Sequence, residues 1–351
     1  MRRAAIFAIL FVVIAGACTS PFAGPQASAR ATCAPVSLPS ATPSGTPAAS
    51  GVTVSVSLTI SGIVRSAASC AAVESVSVLA YEAHLGAITI SPLGGATTDA
   101  SGLFELQVPR GTYRVLFIPP DDSALASRWW TNQPSYVRAT PINVDHIGID
   151  VLLPHGVSIT GTVLSDSGAP QPAGVRATRA LSDEYDFVTA ASTDRSGHYT
   201  LMVLPGEYRL QFSALPPWAG QWWEKRNSYA QSDNIAVAQD IKDVSIMLHT
   251  GSTLSGRLTS PDASPLRGAL AFAARPTTTG WCCEFVSNIK TDADGRYSLA
   301  VPDGTYRVGF LFTLPNGHFV AFWWPGAGTL EEAGNVIVNG ARTDVDLQLP
   351  E

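Results

Sequence analysis

The sequence predicts an all-β protein. Three tandem, seven-stranded antiparallel Greek-key β-sandwiches stand behind a cleavable leader and a disordered tether. Three observations carry this. A block of sequence markers recurs three times in fixed order, with a period of about 95–99 residues. Between the markers, short runs alternate apolar and polar residues and end at Gly, Pro, Asp or Ser, as half-buried strands do. The 351 residues include 30 Gly and 25 Pro but only 14% charged residues, and no long stretch rich in Ala, Glu, Lys and Leu announces a helix.

The charge balance narrows the function classes. A net charge of −6 argues against a nucleic-acid partner, which needs a basic stripe to neutralise phosphates. The low charge content separates the chain from charge-rich disordered proteins. Lysine occurs only at Lys225, Lys242 and Lys290.

In chain order, residues 1–17 come first. Arg2 and Arg3 precede an apolar run from Ala4 to Ala17. This is the pattern of a secretory signal peptide, and it falls short of the roughly 20 apolar residues a membrane span needs. Ile14-Ala15-Gly16-Ala17-Cys18 resembles a bacterial lipobox, with Ala15 where that family prefers Leu. The resemblance implies that Cys18 becomes a lipidated N-terminus and that the membrane is a partner through this anchor. Acyl chains contribute about 0.8 kcal/mol per buried methylene, so two or more hold a protein stably. Without lipidation the same leader gives a secreted protein; both readings place the chain outside the cytoplasm. Residues 18–51 are rich in Ser, Pro, Ala, Thr and Gly and read as a flexible tether.

Three sandwiches follow, expected over residues 52–155, 156–250 and 251–351. Each opens with a strand around a glycine, at Gly62, Gly161 and Gly256. A Thr-Asp-x-(Ser/Asp)-Gly turn comes next, at Thr98–Gly102, Thr193–Gly197 and Thr291–Gly295. There the aspartate is expected to bond its own backbone ahead, and glycine to take positive φ. Then come Gly111-Thr112-Tyr113-Arg114, Gly206-Glu207-Tyr208-Arg209 and Gly304-Thr305-Tyr306-Arg307, each followed by a tryptophan pair: Trp129-Trp130, Trp222-Trp223 and Trp323-Trp324. An alternating strand closes each copy, Ile147 to Leu153, Ile241 to Leu248 and Thr343 to Leu349. About seven strands in such a length make a two-sheet sandwich.

These markers resemble carboxypeptidase regulatory-like modules, which belong with prealbumin-like and starch-binding-like sandwiches and with collagen-adhesin B-type repeats. The resemblance covers the chain from about Val52 to the end. It implies a prealbumin-like fold and a non-catalytic appendage or surface repeat. Chains of this kind also attract an alpha-amylase label, which rests on fold analogy alone.

The residues offer little chemistry to support an enzyme. Glycosidases place two carboxyls on one scaffold, whereas Asp99, Asp194 and Asp292 fall one to a repeat in turns, and no room remains for a barrel. The histidines (His84, His146, His155, His198, His249 and His318) show no ligand spacing. Asp292-Ala293-Asp294-Gly295 lacks the later oxygen ligands of a calcium loop. No metal or cofactor is expected. The collagen-adhesin relatives imply a lysine-to-asparagine crosslink, but the opening strands carry Arg65, Thr162 and Arg257 in its place.

Besides Cys18, four cysteines remain for an oxidising compartment: Cys33, Cys70, Cys282 and Cys283. One reading joins Cys33 to Cys70 and Cys282 to Cys283, the vicinal bond requiring a turn; other pairings stay open. The tryptophan pairs hold the main functional interest. On a strand one member enters the core and the other faces solvent. Alternation leaves open which member faces solvent; Trp130, Trp223 and Trp324 are the candidate glycan-stacking faces, with Tyr136 or Tyr229 extending the platform. The competing reading packs both rings over an open end of the sandwich, aided by Pro134 or Pro325. The expectation is a membrane-anchored surface spacer or adhesive module with a surface-protein or glycan ligand. The alternative is a dedicated binder of starch-like glycans.

Overall fold

A computed structural model describes residue 33 and residues 57–83, 92–143, 145–180, 186–277, 280–313 and 317–350. The leader, Cys18, most of the tether and His84 lie outside the described residues, as do the side chains of His146, Cys282 and Cys283.

The fold is all-β. The first repeat contains β1 (Ser57–Ser66), β2 (Ser77–Glu82), β3 (Gly94–Thr97), β4 (Leu103–Pro109), β5 (Tyr113–Ile118), β6 (Arg128–Trp129) and β7 (His146–Leu153). The second contains β8 (Val157–Ser165), β9 (Ala173–Arg179), β10 (Asp186–Ser192), β11 (His198–Val203), β12 (Gly206–Ala214), β13 (Gln221–Trp222), β14 (Ile235–Val237) and β15 (Ile246–Leu248). The third contains β16 (Ser252–Thr259), β17 (Leu270–Thr277), β18 (Gly280–Lys290), β19 (Arg296–Val301), β20 (Gly304–Thr313), β21 (Phe319–Trp323), β22 (Val336–Val338) and β23 (Leu347–Gln348).

Each repeat pairs a three-stranded sheet with a larger one. The small sheets run β4-β1-β7, β11-β8-β15 and β19-β16-β23. The large ones run β3-β2-β5-β6, β10-β9-β12-β13 and β18-β17-β20-β21, with β14 added to β12 and β22 to β20. Two details depart from the sequence expectation. The small sheets are mixed, because opening and closing strands pair parallel, β1 with β7, β8 with β15 and β16 with β23. The chain crosses both sheets between these strands, so it re-enters in the same direction. The strand count is seven in the first repeat and eight in the others among the described residues. At the position of β14 and β22 the first repeat keeps only the single pair Tyr113–Ile142.

The parallel pairs explain the opening glycines. A Cβ at Gly62, Gly161 or Gly256 would lie 2.0, 2.1 or 2.2 Å from the carbonyl oxygen of Ile149, Val244 or Val345. Only glycine lets the closing segment approach so near. Each sandwich has its own core, with an edge-to-face aromatic pair: Phe104–Phe117, Tyr199–Phe212 and Tyr297–Phe310, at 5.6, 5.8 and 5.3 Å.

Cys33 and Cys70 form a disulfide, which ties the tether to the first repeat. Cys282 and Cys283 fall inside strand β18. On the opening strand of the first repeat, the Arg65 guanidinium bonds both oxygens of Asp150 on β7.

Candidate functional site

The Thr-Asp-x-x-Gly segments are turns in all three repeats. Asp99 Oδ1 accepts the Ser101 and Leu103 amides at 2.8 and 2.9 Å, Asp194 those of Ser196 and His198 at the same distances, and Asp292 those of Asp294 and Arg296 at 2.9 and 2.8 Å. Their carboxylates are thus engaged by backbone. Among the described residues no cluster of His, Cys, Asp or Glu is placed to hold a metal ion.

The threonine before each aspartate has a role the sequence reading missed. Thr98 Oγ1 accepts the Val76 amide and donates to the Val73 carbonyl. Thr193 does the same with Ala173 and Gln171, and Thr291 with Ala269 and Leu266. The recurrence of a threonine directly before all three turn aspartates was the signal available.

The Gly-x-Tyr-Arg motif positions the tryptophan turn. Tyr113, Tyr208 and Tyr306 each donate to the carbonyl four residues upstream, on Pro109, Leu204 and Pro302, which locks the preceding corner. The arginine reaches into the loop after the tryptophans. Arg114 Nε donates to the Ala139 carbonyl, Arg209 to Asn234 and to the Tyr229 carbonyl, and Arg307 to the Leu330 carbonyl. Arg114 and Arg209 also lie over the Tyr136 and Tyr229 rings, at 4.5 and 4.4 Å.

The first tryptophan of each pair is fully buried, Trp129 at 0% exposure and Trp222 and Trp323 at 1%. A tight turn follows, closed by paired backbone bonds between Trp129 and Gln133, Trp222 and Arg226, and Trp323 and Ala327. Thr131, Asn132, Glu224 and Lys225 take positive φ to make it; the third repeat uses Pro325 and Gly326. The second members, Trp130, Trp223 and Trp324, are half-buried and pack against the cores of their own repeats. Tyr136 and Tyr229 do not extend a surface platform: both are buried, edge-on to Trp129 and Trp222 at 5.4 and 5.2 Å. Their rings fill the space beneath the motif arginine.

What the turn does present is a joint. Trp129 Nε1 donates to the Val188 carbonyl of the next repeat at 3.0 Å. Phe187 packs against Tyr81, Trp129 and Trp222. The Tyr136 amide donates to the Phe187 carbonyl and the Val137 amide to Asp186 Oδ1. At the following joint a Cβ on Gly220 would lie 2.1 Å from the Val286 carbonyl oxygen of the third repeat, and Arg275 donates to the Asn227 carbonyl. The linkers are pinned too. Ala126 bonds Pro154 and Gly156 bonds Ala124; at the second joint Ala219 bonds His249 and Gly251 bonds Pro217. Finally, Glu82 of the first repeat meets His318 and the Phe319 amide of the third.

No family model and no curated protein matches the chain. Among solved structures it is similar to the Bacillus anthracis TIE protein, at 12% identity over 84% of this chain and 50% of that one, TM-score 0.23. It is also similar to a streptococcal ancillary pilin, at 10% identity over 84% and 100%, TM-score 0.22. The major pilin subunit of Bacillus cereus matches at 11% identity over 84% and 99%, TM-score 0.19. The chain thus spans half the length of the TIE protein.

Proposed function

We propose that the protein is a non-catalytic, extracytoplasmic spacer, anchored through lipid on Cys18, which holds its three sandwiches as one inflexible body away from the membrane. The observation that carries this reading is the pinning of both linkers. Residues 154–156 and 249–251 pair with the segments ahead of the tryptophans, so the joints lack the contact-poor linkers that let domains move. A polypeptide that fixes its repeats is suited to set distance and orientation. The tether supplies reach, about 5–6 Å times the square root of its length in residues for a flexible chain.

Two measurements test the two halves of the proposal. Intact-mass analysis of the mature protein is expected to show an acylated Cys18, and Cys18→Ser to move the protein out of the membrane fraction. An unmodified N-terminus sinks the anchor. Spin labels at Ser101 and Asp262, both exposed, in a chain with Cys282 and Cys283 replaced by Ser, are expected to give one narrow distance distribution. A broad distribution sinks the rigid spacer.

A further inference from the structure

The chain ahead of the first repeat reaches it at two points. It runs into β1 at Ser57, and Cys33 joins it covalently to Cys70 in the turn after β1. These points lie at opposite ends of the sandwich. β1 has ten residues, about 30 Å at the usual strand rise. Its first residue, Ser57, pairs with Pro109 at the β4–β5 corner. Its last, Ser66, accepts the Cys70 amide, and the next amide, of Ala67, bonds the Leu153 carbonyl at the end of β7.

The two ends have different neighbours. At the Ser57 end the third repeat abuts the first: Glu82 meets His318 and the Phe319 amide, and a Cβ on Gly317 would press on the Pro109 ring. At the Cys70 end, Ala68, Ser69, Ala71 and Ala72 of the turn are exposed. The same turn occurs in each repeat. Cys70, Gly168 and Ala263 each donate an amide back to the serine that starts the turn, and each takes positive φ, of 58°, 81° and 64°. That conformation disfavours any residue with a Cβ. The second repeat meets it with glycine; the first carries a cysteine there, and the first is the repeat that the tether enters.

The disulfide therefore changes where the tether takes hold. Cys33 follows Cys18 by 15 residues and Ser57 follows it by 39. For a flexible chain these lengths give root-mean-square spans of about 21 Å and about 34 Å. We infer that the Cys33–Cys70 disulfide is an orienting clamp. It makes the Cys70 end of the first repeat the point of attachment, turns that end toward the membrane, and holds the third repeat on the far side. Residues 34–56 become a slack loop that carries no tension between anchor and body. This rests on the reading of Cys18 as the anchor.

The clamp is tested without lipid, so its failure is separate from that of the anchor, which shows as an unmodified Cys18. The mature chain from residue 18, with Cys18→Ser, takes a donor dye on its N-terminal amine. A short-range acceptor is placed through an azide-bearing amino acid at Ser101 or at Arg110, both exposed. Ser101 lies beside the Cys70 turn, next to Gly102, whose Cβ would be 3.2 Å from that of Ala72; Arg110 lies at the opposite corner. Energy transfer to Ser101 is expected to be about twofold or more above that to Arg110, given the two spans. A Gly/Ser insertion that doubles the 34–56 segment, placed after Ser44, is expected to change neither value. In Cys33→Ser/Cys70→Ser the order is expected to reverse, and the insertion then to lower both values. Equal transfer to the two sites, or more to Arg110, in the disulfide-bonded chain overturns the inference. So does an insertion that lowers transfer in that chain. The insertion keeps the disulfide and every strand, so it decides the matter even where the double variant does not fold.

Discussion

The two joints use one tryptophan turn for different ends. At the first, the outer face of the large sheet is apolar. Leu79 lies opposite Leu116, and both pack with Tyr81, Trp129, Tyr136 and the incoming Phe187. At the second, the same register holds Arg176 opposite Gln211, and a polar cleft opens beside the turn. The backbone of the turn is nearly identical in both, with positive φ of 61° and 58° at Thr131 and Asn132 and 59° and 58° at Glu224 and Lys225. Turn geometry therefore fixes where the next repeat docks. The side chains on the neighbouring sheet decide whether the junction is dry.

The largest test of that contrast is Trp129→Ala. It removes a fully buried ring, its aromatic contacts and its bond to the Val188 carbonyl. Large aromatic-to-alanine changes in cores cost about 3–5 kcal/mol, so chemical denaturation is expected to show a loss of that size. Because Trp129 serves two repeats, amide exchange is expected to rise on both sides of the joint, at Tyr136 and Val137 and along β10. A change confined to the first repeat would show that the docking contributes nothing.

A smaller effect is expected at the second joint, where backbone and not an aromatic ring makes the closest approach. Gly220→Ala puts a methyl against the Val286 carbonyl oxygen. Overpacking of this kind costs about 1–3 kcal/mol, relieved by displacing the third repeat. Gly328→Ala, with nothing within 4 Å of its Cβ, is the matched control. Scattering profiles are expected to broaden for Gly220→Ala and not for Gly328→Ala; identical profiles would show that the joint tolerates the methyl.

Much of the fold was legible because it repeats. The Asp-x-x-Gly turns and the strand alternation are local, and local chemistry is written in local sequence. The parallel pairing of β1 with β7 was not, because it joins residues such as Gly62 and Ile149, and a lone strand glycine says only that something approaches closely. The tryptophans were half legible. Period-two alternation says that one member of each pair turns inward but not which; the structure buries Trp129, Trp222 and Trp323, and what covers the second member depends on how its own core closes over it. Tyr136 and Tyr229 were misread because their burial is made by Arg114 and Arg209, some 20 residues earlier in sequence.

The smallest effect separates the joints by pH. Asp303, beside the cleft, has its carboxyl held below the ordinary carboxylate range, first by the Ser252 hydroxyl and then by the Gly340 amide. The corresponding corner of the second repeat carries Pro205, which has no carboxyl. A depressed folded-state pKa means the aspartate contributes stability that is complete above its unfolded value, about 3.9, and is lost as pH falls through the lower folded value. Acidification below pH 4 is therefore expected to release Ser252 and Gly340. Proton NMR reads this directly: the Gly340 amide should shift upfield with a midpoint below that of a free aspartate, and Asp303→Asn should flatten the titration. A Gly340 amide that titrates at the ordinary aspartate value would mean that the carboxylate is not held by these two donors.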